Sequence, residues 1–176
     1  MGADVAVFIG TFENKLDRKG RISVPSQFRQ VLAGQSYHGI VVFRSYRGPA
    51  IEGCGYDFML SLNEGVGAYA LFSDAHDDLS ASLFADARQL PFDGDGRVIL
   101  PQEFCRHAGI TDRACFVGKG STFQIWQPES LAQHLEEARQ RARSQGLTLP
   151  LPGAGRRPGA RAGDGGGPGG GPGDGT

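Results

Sequence analysis

The stretch LDRKGRISVPSQFR, residues 16–29, returns in altered form as FDGDGRVILPQEFC, residues 92–105, at a constant offset of 76 residues. Five of the fourteen positions are identical, whereas a random alignment gives about one identity. Three further positions exchange one apolar residue for another. The chain therefore carries an internal duplication, whose two copies are called here the first unit and the second unit.

Each unit predicts a strand, a turn, a second strand and a short helix. The alternation of Phe8, Phe12 and Leu16 with polar residues is typical of a half-buried strand. In each turn, an Asp at the start can accept backbone hydrogen bonds, and a Gly at the end adopts positive φ without penalty. The predicted pieces are the turns 17–20 and 93–96, the strands 21–24 and 97–100, and the helices 26–33 and 102–108.

Further strands and two longer helices complete the prediction. Neither unit has a core large enough to stand alone, so we expect the units to interlock or to pair with other chains. The predicted strands are 40–44 and 57–62 in the first unit, separated by a loop at 45–56, and 114–117 and 123–126 in the second. A connecting helix is predicted at 74–87, and a C-terminal helix after Pro128.

These elements indicate a mostly β fold with short helices, of the α+β class. The first domain is expected at 5–64, the connecting helix within 65–88, and the second domain with its C-terminal helix at 89–146. Twelve of the 28 glycines lie in residues 153–176, which carry few apolar side chains. Such a segment cannot offset the entropy of ordering, and we expect a disordered tail at 147–176.

Charge is unevenly distributed, although the formal net charge is only −1. Residues 1–50 contain seven Lys and Arg against three Asp and Glu, whereas residues 51–110 contain three basic and ten acidic residues. A net charge near zero excludes the global positive field of proteins that coat nucleic acids. Any binding of a polyanion must therefore be local, and the near-neutral total conceals a basic half and an acidic half.

Residue patterns of enzymes and metal sites are missing from the sequence. The four histidines have no metal-ligand spacing, the three cysteines form no Cys-x-x-Cys pair, and there is no Gly-x-Ser-x-Gly motif. We expect no catalytic activity, no metal, no cofactor and no small-molecule substrate. The longest apolar runs fall short of the about 20 residues that span a membrane, so we expect a cytoplasmic protein without membrane contact.

Basic residues crowd the turn of the first unit. Arg18, Lys19 and Arg21 lie in and after an exposed turn, where guanidinium groups can reach phosphates and guanine edges. The second unit has Gly94 and Asp95 in place of the first two, and an acid there repels phosphate. If the turns contact DNA, the turn of the first unit must lead. The alternative is that the Asp–Arg pairs of the two turns only shape their loops.

Three segments together resemble the MraZ family of bacterial transcriptional regulators, which have two SpoVT-AbrB-type domains. They are LDRKGRISVP at 16–25, its echo DGDGRVILP at 93–101, and VGKGSTFQIW at 117–126. The resemblance runs from about Phe8 to Arg143, with Gln124 at a position where the family often has Glu. It implies two tandem swapped-hairpin β-barrel units related by pseudo-two-fold symmetry, in protomers that close into a homo-oligomeric ring.

The resemblance also implies a function: binding to short promoter direct repeats of the division and cell-wall gene cluster, usually as a repressor, at the nucleoid. The residues expected to bind DNA are Lys15, Arg18, Lys19 and Arg21. Those expected to shape the motif are Asp17, Gly20, Asp93, Gly96 and Arg97.

A hypothesis from a different class is a structural or interaction ring that uses the same basic turn for protein contacts. A DNA-binding regulator predicts binding that falls steeply with salt and differs between sequences. The interaction ring predicts no such discrimination.

Overall fold

A computed structural model of the chain describes residues 6–149. Residues 1–5 and 150–176 lie outside the described part, and with them almost all of the predicted disordered tail at 147–176. Within residues 6–149 the chain forms eight strands and five α-helices. The strands are β1 (Thr11–Lys15), β2 (Arg21–Ser23), β3 (Gly39–Arg44), β4 (Ile51–Cys54), β5 (Arg88–Pro91), β6 (Arg97–Ile99), β7 (Arg113–Gly118) and β8 (Phe123–Trp126). The helices are α1 (Ser26–Val31), α2 (Tyr56–Val66), α3 (Asp74–Ser80), α4 (Gln102–Ala108) and α5 (Pro128–Ser144).

The strands of the two units are interleaved in one antiparallel sheet. Its order is β1-β7-β8-β4-β3-β5, so β1 of the first unit pairs with β7 of the second, and β4 with β8. The two remaining strands, β2 and β6, form a separate antiparallel ribbon. The predicted α+β class is confirmed, and so is the expectation that the units interlock. The boundaries at 5–64, 65–88 and 89–146 stay predictions.

The core lies between the inner face of this sheet, the ribbon, and helices α1 and α4. Equivalent positions of the two units supply it: Phe28 and Phe104 are both 0 % exposed, and Ile22 pairs with Val98 across the ribbon in full burial. Burying a phenylalanine fully stabilises a fold by about 1.5–3 kcal/mol. The duplicated phenylalanines thus anchor both short helices in one common core.

The outer face of the sheet carries two other helices over different strands. Met59 of α2 packs with Val41 and Cys54, which lie on β3 and β4. Leu131 of α5 packs with Cys115 and Trp126, on β7 and β8. The six-stranded sheet is therefore covered on both faces, and the ribbon is held on the side away from α2 and α5.

The predicted strand at 57–62 is wrong, because these residues belong to helix α2. The strand is β4, inside the segment 45–56 that the sequence predicted as a loop. The sequence pattern did not predict β4 because glycine is typical of loops. Gly53 lies so close to the ring of Phe123 that a Cβ at this position would come within 2.3 Å of the ring. The glycine is required by close packing of β4 against β8 and not by a turn.

The predicted connecting helix at 74–87 is shorter and less regular than expected. Helix α3 ends at Ser80, and a π-helical turn, Ala81–Ala85, continues it to the start of β5. The carboxylate of Asp86 then accepts hydrogen bonds from the backbone N–H and guanidinium of Arg44. This ion pair fastens the end of the connecting segment to β3.

Candidate nucleic-acid interface

The ribbon of β2 and β6 has one buried and one open face. In its register Arg21 lies opposite Ile99, and Ser23 lies opposite Arg97. Because side chains alternate along a strand and Ile22 points into the core, these four residues share the other face. That face is open to solvent, since Ser23 and Ile99 are exposed.

The turn before β2, residues 17–20, is called here the Asp17 turn, and the carboxylate of Asp17 determines its shape. It accepts hydrogen bonds from the backbone N–H groups of Lys19 and Arg21, both at 2.9 Å, and from Nε of Arg21 at 2.6 Å. Gly20 closes the turn at φ +80°. A Cβ at Gly20 would come within 3.0 Å of the carbonyl oxygen of Leu100. The predicted structural roles of Asp17 and Gly20 therefore have a geometric basis.

The turn before β6, residues 93–96, is called here the Asp93 turn and repeats this geometry. Asp93 accepts from the backbone N–H groups of Asp95 and Arg97 at 2.9 Å, and from Nε of Arg97 at 2.8 Å. Gly96 has φ +71°. The two turns are thus copies of one structure.

Reciprocal hydrogen bonds join the two turns to the ribbon. The N–H of Leu100 donates to the carbonyl of Gly20 at 2.9 Å, and the N–H of Val24 donates to the carbonyl of Gly96 at 3.1 Å. These four residues are two pairs at the offset of 76, so the bonds are equivalent under exchange of the units. Each turn is held at one end of the ribbon by the strand of the other unit.

Both aspartates are stabilised as carboxylates. The pKa of Asp17 lies below its ordinary value, chiefly because the backbone N–H of Arg21 donates to it. The pKa of Asp93 is lowered in the same way by the N–H of Arg97. At neutral pH Asp17 and Asp93 therefore each hold a negative charge directly against an arginine.

The guanidinium groups of Arg21 and Arg97 differ in which nitrogen atoms are already bound by an acid. Asp95 binds Nη2 of Arg97 at 3.0 Å, and the hydrogen bond to Asp93, with the charges of Asp93, Asp95 and Asp17, raises the pKa of Arg97. Arg21 donates through Nε alone: within residues 6–149, its Nη atoms make no hydrogen bond, and Asp17 is its one acidic partner. The outer edge of the Arg21 guanidinium is therefore available to a partner.

The other predicted DNA-binding residues surround the Asp17 turn. Arg18 and Lys19 are exposed, and neither side chain pairs with an acid in the described part of the chain. Lys15 ends β1 opposite Arg113, and a bridge between Leu16 and Ile22 brings the end of β1 against β2. The structure thus gathers all four predicted residues around one turn.

Arg29 is a residue whose position sequence reasoning missed. Its Nε donates to the carbonyl of Val24 at 3.2 Å, and its guanidinium lies against Gly96, where a Cβ would come within 2.6 Å of it. It therefore brings a positive charge to the acidic Asp93 turn. The signal was available, because Arg29 aligns with Cys105, so that only the first unit has a charge at this position.

The chain matches the model of a known protein family. The family model of the MraZ protein matches residues 7–47 and 83–148, which include β1, both turns, the ribbon and α5. The chain belongs to the MraZ family. Segment 48–82, which contains β4, α2 and α3, lies outside the match to the MraZ model.

Several curated MraZ relatives are similar over most of their length, and each is named "Transcriptional regulator MraZ". The protein of Rickettsia akari is 42 % identical over 143 residues, which cover 81 % of this chain and 96 % of the relative. The protein of Rickettsia felis is 41 % identical over the same number of residues and the same shares. That of Rickettsia bellii is 41 % identical over 144 residues, again covering 81 % and 96 %.

Two further findings concern the described residues, 6–149. None of their helices has the length and apolar character needed to cross a bilayer. None of their His, Cys, Asp and Glu side chains form a group of three or more that could hold a metal ion.

Proposed function

We propose that this MraZ-family protein is a sequence-specific DNA-binding regulator of transcription, and that the Asp17 turn with strand β2 reads the DNA. The observation that carries the proposal is the state of Arg21, whose Nε is held by Asp17 while its outer edge is open. The relatives named as transcriptional regulators support the same conclusion.

The dimensions of the ribbon suit the major groove. A strand of three residues spans about 10 Å, and the major groove is about 12 Å wide and admits a two-stranded ribbon. Asp17 fixes the guanidinium of Arg21 before DNA arrives, so little side-chain entropy is lost on binding. Its two Nη groups can then donate together to O6 and N7 of a guanine. Arg18 and Lys19, exposed beside it, contact phosphates and set the register.

Because the two turns differ in charge, each chain has one strongly basic turn with which to bind DNA. The Asp93 turn carries Asp95 beside Asp93, and these carboxylates repel phosphate even with Arg29 nearby. In a ring, every copy presents its Asp17 turn in the same rotational sense. This suits short direct repeats better than palindromes. We propose promoter direct repeats of the division and cell-wall gene cluster as the target, with repression as the outcome and the nucleoid as the location.

Selection of bound fragments from random DNA tests this proposal. The full chain is expected to enrich a repeated motif, and its affinity for that motif is expected to fall linearly with the logarithm of salt concentration. Scrambled DNA of the same length and composition is the matched control. If no motif is enriched and both DNAs bind equally at about 0.15 M salt, the basic turn serves protein contacts instead.

A further inference from the structure

Three large apolar side chains on the segment outside the MraZ match are exposed, and together they are called here the patch. Leu60 of α2 is 51 % exposed, and Leu71 and Phe72, just before α3, are 67 % and 92 % exposed. Phe72 also has φ +66°, a left-handed conformation that is uncommon for a residue other than glycine. Phe72 thus combines an uncommon backbone conformation with an aromatic side chain that its own core does not cover. Apolar patches of this kind mark interaction surfaces.

The surroundings of this patch are acidic. Residues 48–87 contain seven Asp and Glu and no Lys or Arg. Five of the acids are exposed on α2 and α3. Asp57 accepts a hydrogen bond from the Ser36 hydroxyl, and the other four are Glu64, Asp74, Asp77 and Asp78. We call the three apolar residues and these four acids the acidic–apolar surface. Its composition selects a partner that is basic and apolar.

The chain itself carries a surface of that opposite composition. Residues 138–149 contain Arg139, Arg141 and Arg143 and no acid, and the arginines are exposed at the end of α5. Leu147 and Leu149 follow and are 66 % and 90 % exposed. We call these five residues the basic–apolar tip.

The tip has a defined geometry. Gly146 adopts φ +58°, the N–H of Leu147 donates to the carbonyl of Ala142 at 3.1 Å, and the N–H of Gly146 donates to that of Arg143 at 3.2 Å. This is the Schellman arrangement, which ends a helix and fixes the direction of the chain after it. The two leucines therefore leave the helix end in a set direction, with their side chains in solvent.

We infer that the acidic–apolar surface of one copy of the chain receives the basic–apolar tip of α5 of a second copy. Helix α5 packs over β7 and β8, whereas α2 packs over β3 and β4, so the two surfaces belong to different parts of the sheet. A contact between unlike surfaces is heterologous, and its repetition closes a ring or extends a chain. The inference rests on the proposed function only in taking the protein to be an oligomer, and it names the contact that builds it.

Two variants and a mixture test the pairing. Leu71→Ser with Phe72→Ser removes two of the apolar side chains of the acidic–apolar surface. Leu147→Ser with Leu149→Ser removes the apolar side chains of the basic–apolar tip. All four side chains are exposed, so each variant is expected to keep the thermal unfolding transition of the parent. Ile9→Ser is the matched control, because Ile9 is 71 % exposed and belongs to neither surface. Mass is measured by light scattering during size exclusion.

The parent and the Ile9→Ser control are expected to be oligomers, and each double variant a monomer. Because each variant retains the surface that the other lacks, an equimolar mixture is expected to form a dimer of twice the monomer mass. The inference is overturned if the parent is a monomer, if either double variant keeps the parent mass, or if both are monomers and the mixture stays monomeric.

Charge reversal gives a second readout should a serine variant fail to unfold cooperatively. Asp74→Lys with Asp77→Lys, and Arg139→Glu with Arg143→Glu, are each expected to dissociate. Their equimolar mixture is expected to reassemble into oligomers, because the new lysines attract the new glutamates just as the remaining aspartates attract the remaining arginines. A mixture that stays monomeric overturns the inference. DNA binding is scored separately: a parent that assembles in this way but selects no DNA leaves the inference standing and refutes the proposed function.

Discussion

Phe28 of the first unit and Phe104 of the second occupy equivalent positions, and both are fully buried beneath the same sheet. The turns that precede them share backbone geometry and hydrogen bonds but differ in charge. The Asp17 turn exposes an arginine and a lysine where the Asp93 turn has a glycine and an acid. Packing constrains the buried positions of a duplicated unit, whereas its exposed positions can change freely. The proposed function assigns DNA reading to the Asp17 turn because of this difference in charge.

The largest expected effect is on the free energy of unfolding, and it tests whether Phe28 and Phe104 are equivalent in the core. Phe28→Ala and Phe104→Ala are each expected to cost about 3–5 kcal/mol of unfolding free energy, because each leaves a cavity in the common core. Denaturant unfolding at one fixed protein concentration measures both. If one substitution costs less than about 1 kcal/mol, the two units are not equivalent inside.

A second prediction turns the Asp93 turn into a copy of the Asp17 turn. Gly94→Arg with Asp95→Lys replaces a repulsive acid with two cations on the same backbone. We expect tighter binding to all DNA and a salt dependence steeper by about two, as for two added phosphate contacts. Fluorescence anisotropy across a salt series measures it. An unchanged slope would mean that the Asp93 turn faces away from the DNA.

A smaller effect is expected at Lys19, which we assign to a phosphate. Lys19→Ala is expected to weaken binding to specific and scrambled DNA alike and to lower the salt slope by about one. The same salt series measures it, with Lys119→Ala, in the turn between β7 and β8, as the control. Loss of discrimination between the two DNAs would instead make Lys19 a base-reading residue.

The smallest expected effect concerns pH. The folded protein lowers the pKa of Asp17 and of Asp93, because both carboxylates accept hydrogen bonds. These hydrogen bonds therefore add fully to the free energy of unfolding above the ordinary carboxyl pKa of about 4. The added stability is lost as the pH falls through the lowered pKa values of the folded state. Thermal unfolding between about pH 6 and pH 2 is expected to decline less steeply for Asp17→Asn with Asp93→Asn than for the parent. Equal declines would show that the turns do not contribute.

The sequence alone predicted the local parts of this molecule. The Asp–Gly turns have a chemistry that depends on four neighbouring residues, and the strands and helices after them were placed to within about two residues of β2, β6, α1 and α4. The four residues expected to bind DNA also gather around one turn. All of these follow from short-range rules, applied twice because the motif occurs twice.

The parts that were not predicted depend on distant contacts. The pairing of β1 with β7 joins residues about 100 positions apart, and no local pattern specifies it. Strand β4 was missed because its Gly53 reads as a loop residue until the ring of Phe123 is seen beside it. The packing of Arg29 on Gly96 joins the two units in the same way.

The central claim is that the Asp17 turn and not the Asp93 turn reads DNA, and the most direct test compares one arginine from each. Binding of Arg21→Ala and Arg97→Ala to the selected motif is measured side by side, with oligomer mass checked by light scattering. Arg21→Ala is expected to lose about 1–3 kcal/mol of specific binding, as for a bidentate base contact, and Arg97→Ala to bind close to the parent. Normal binding by Arg21→Ala together with loss of binding by an intact Arg97→Ala oligomer would contradict the claim.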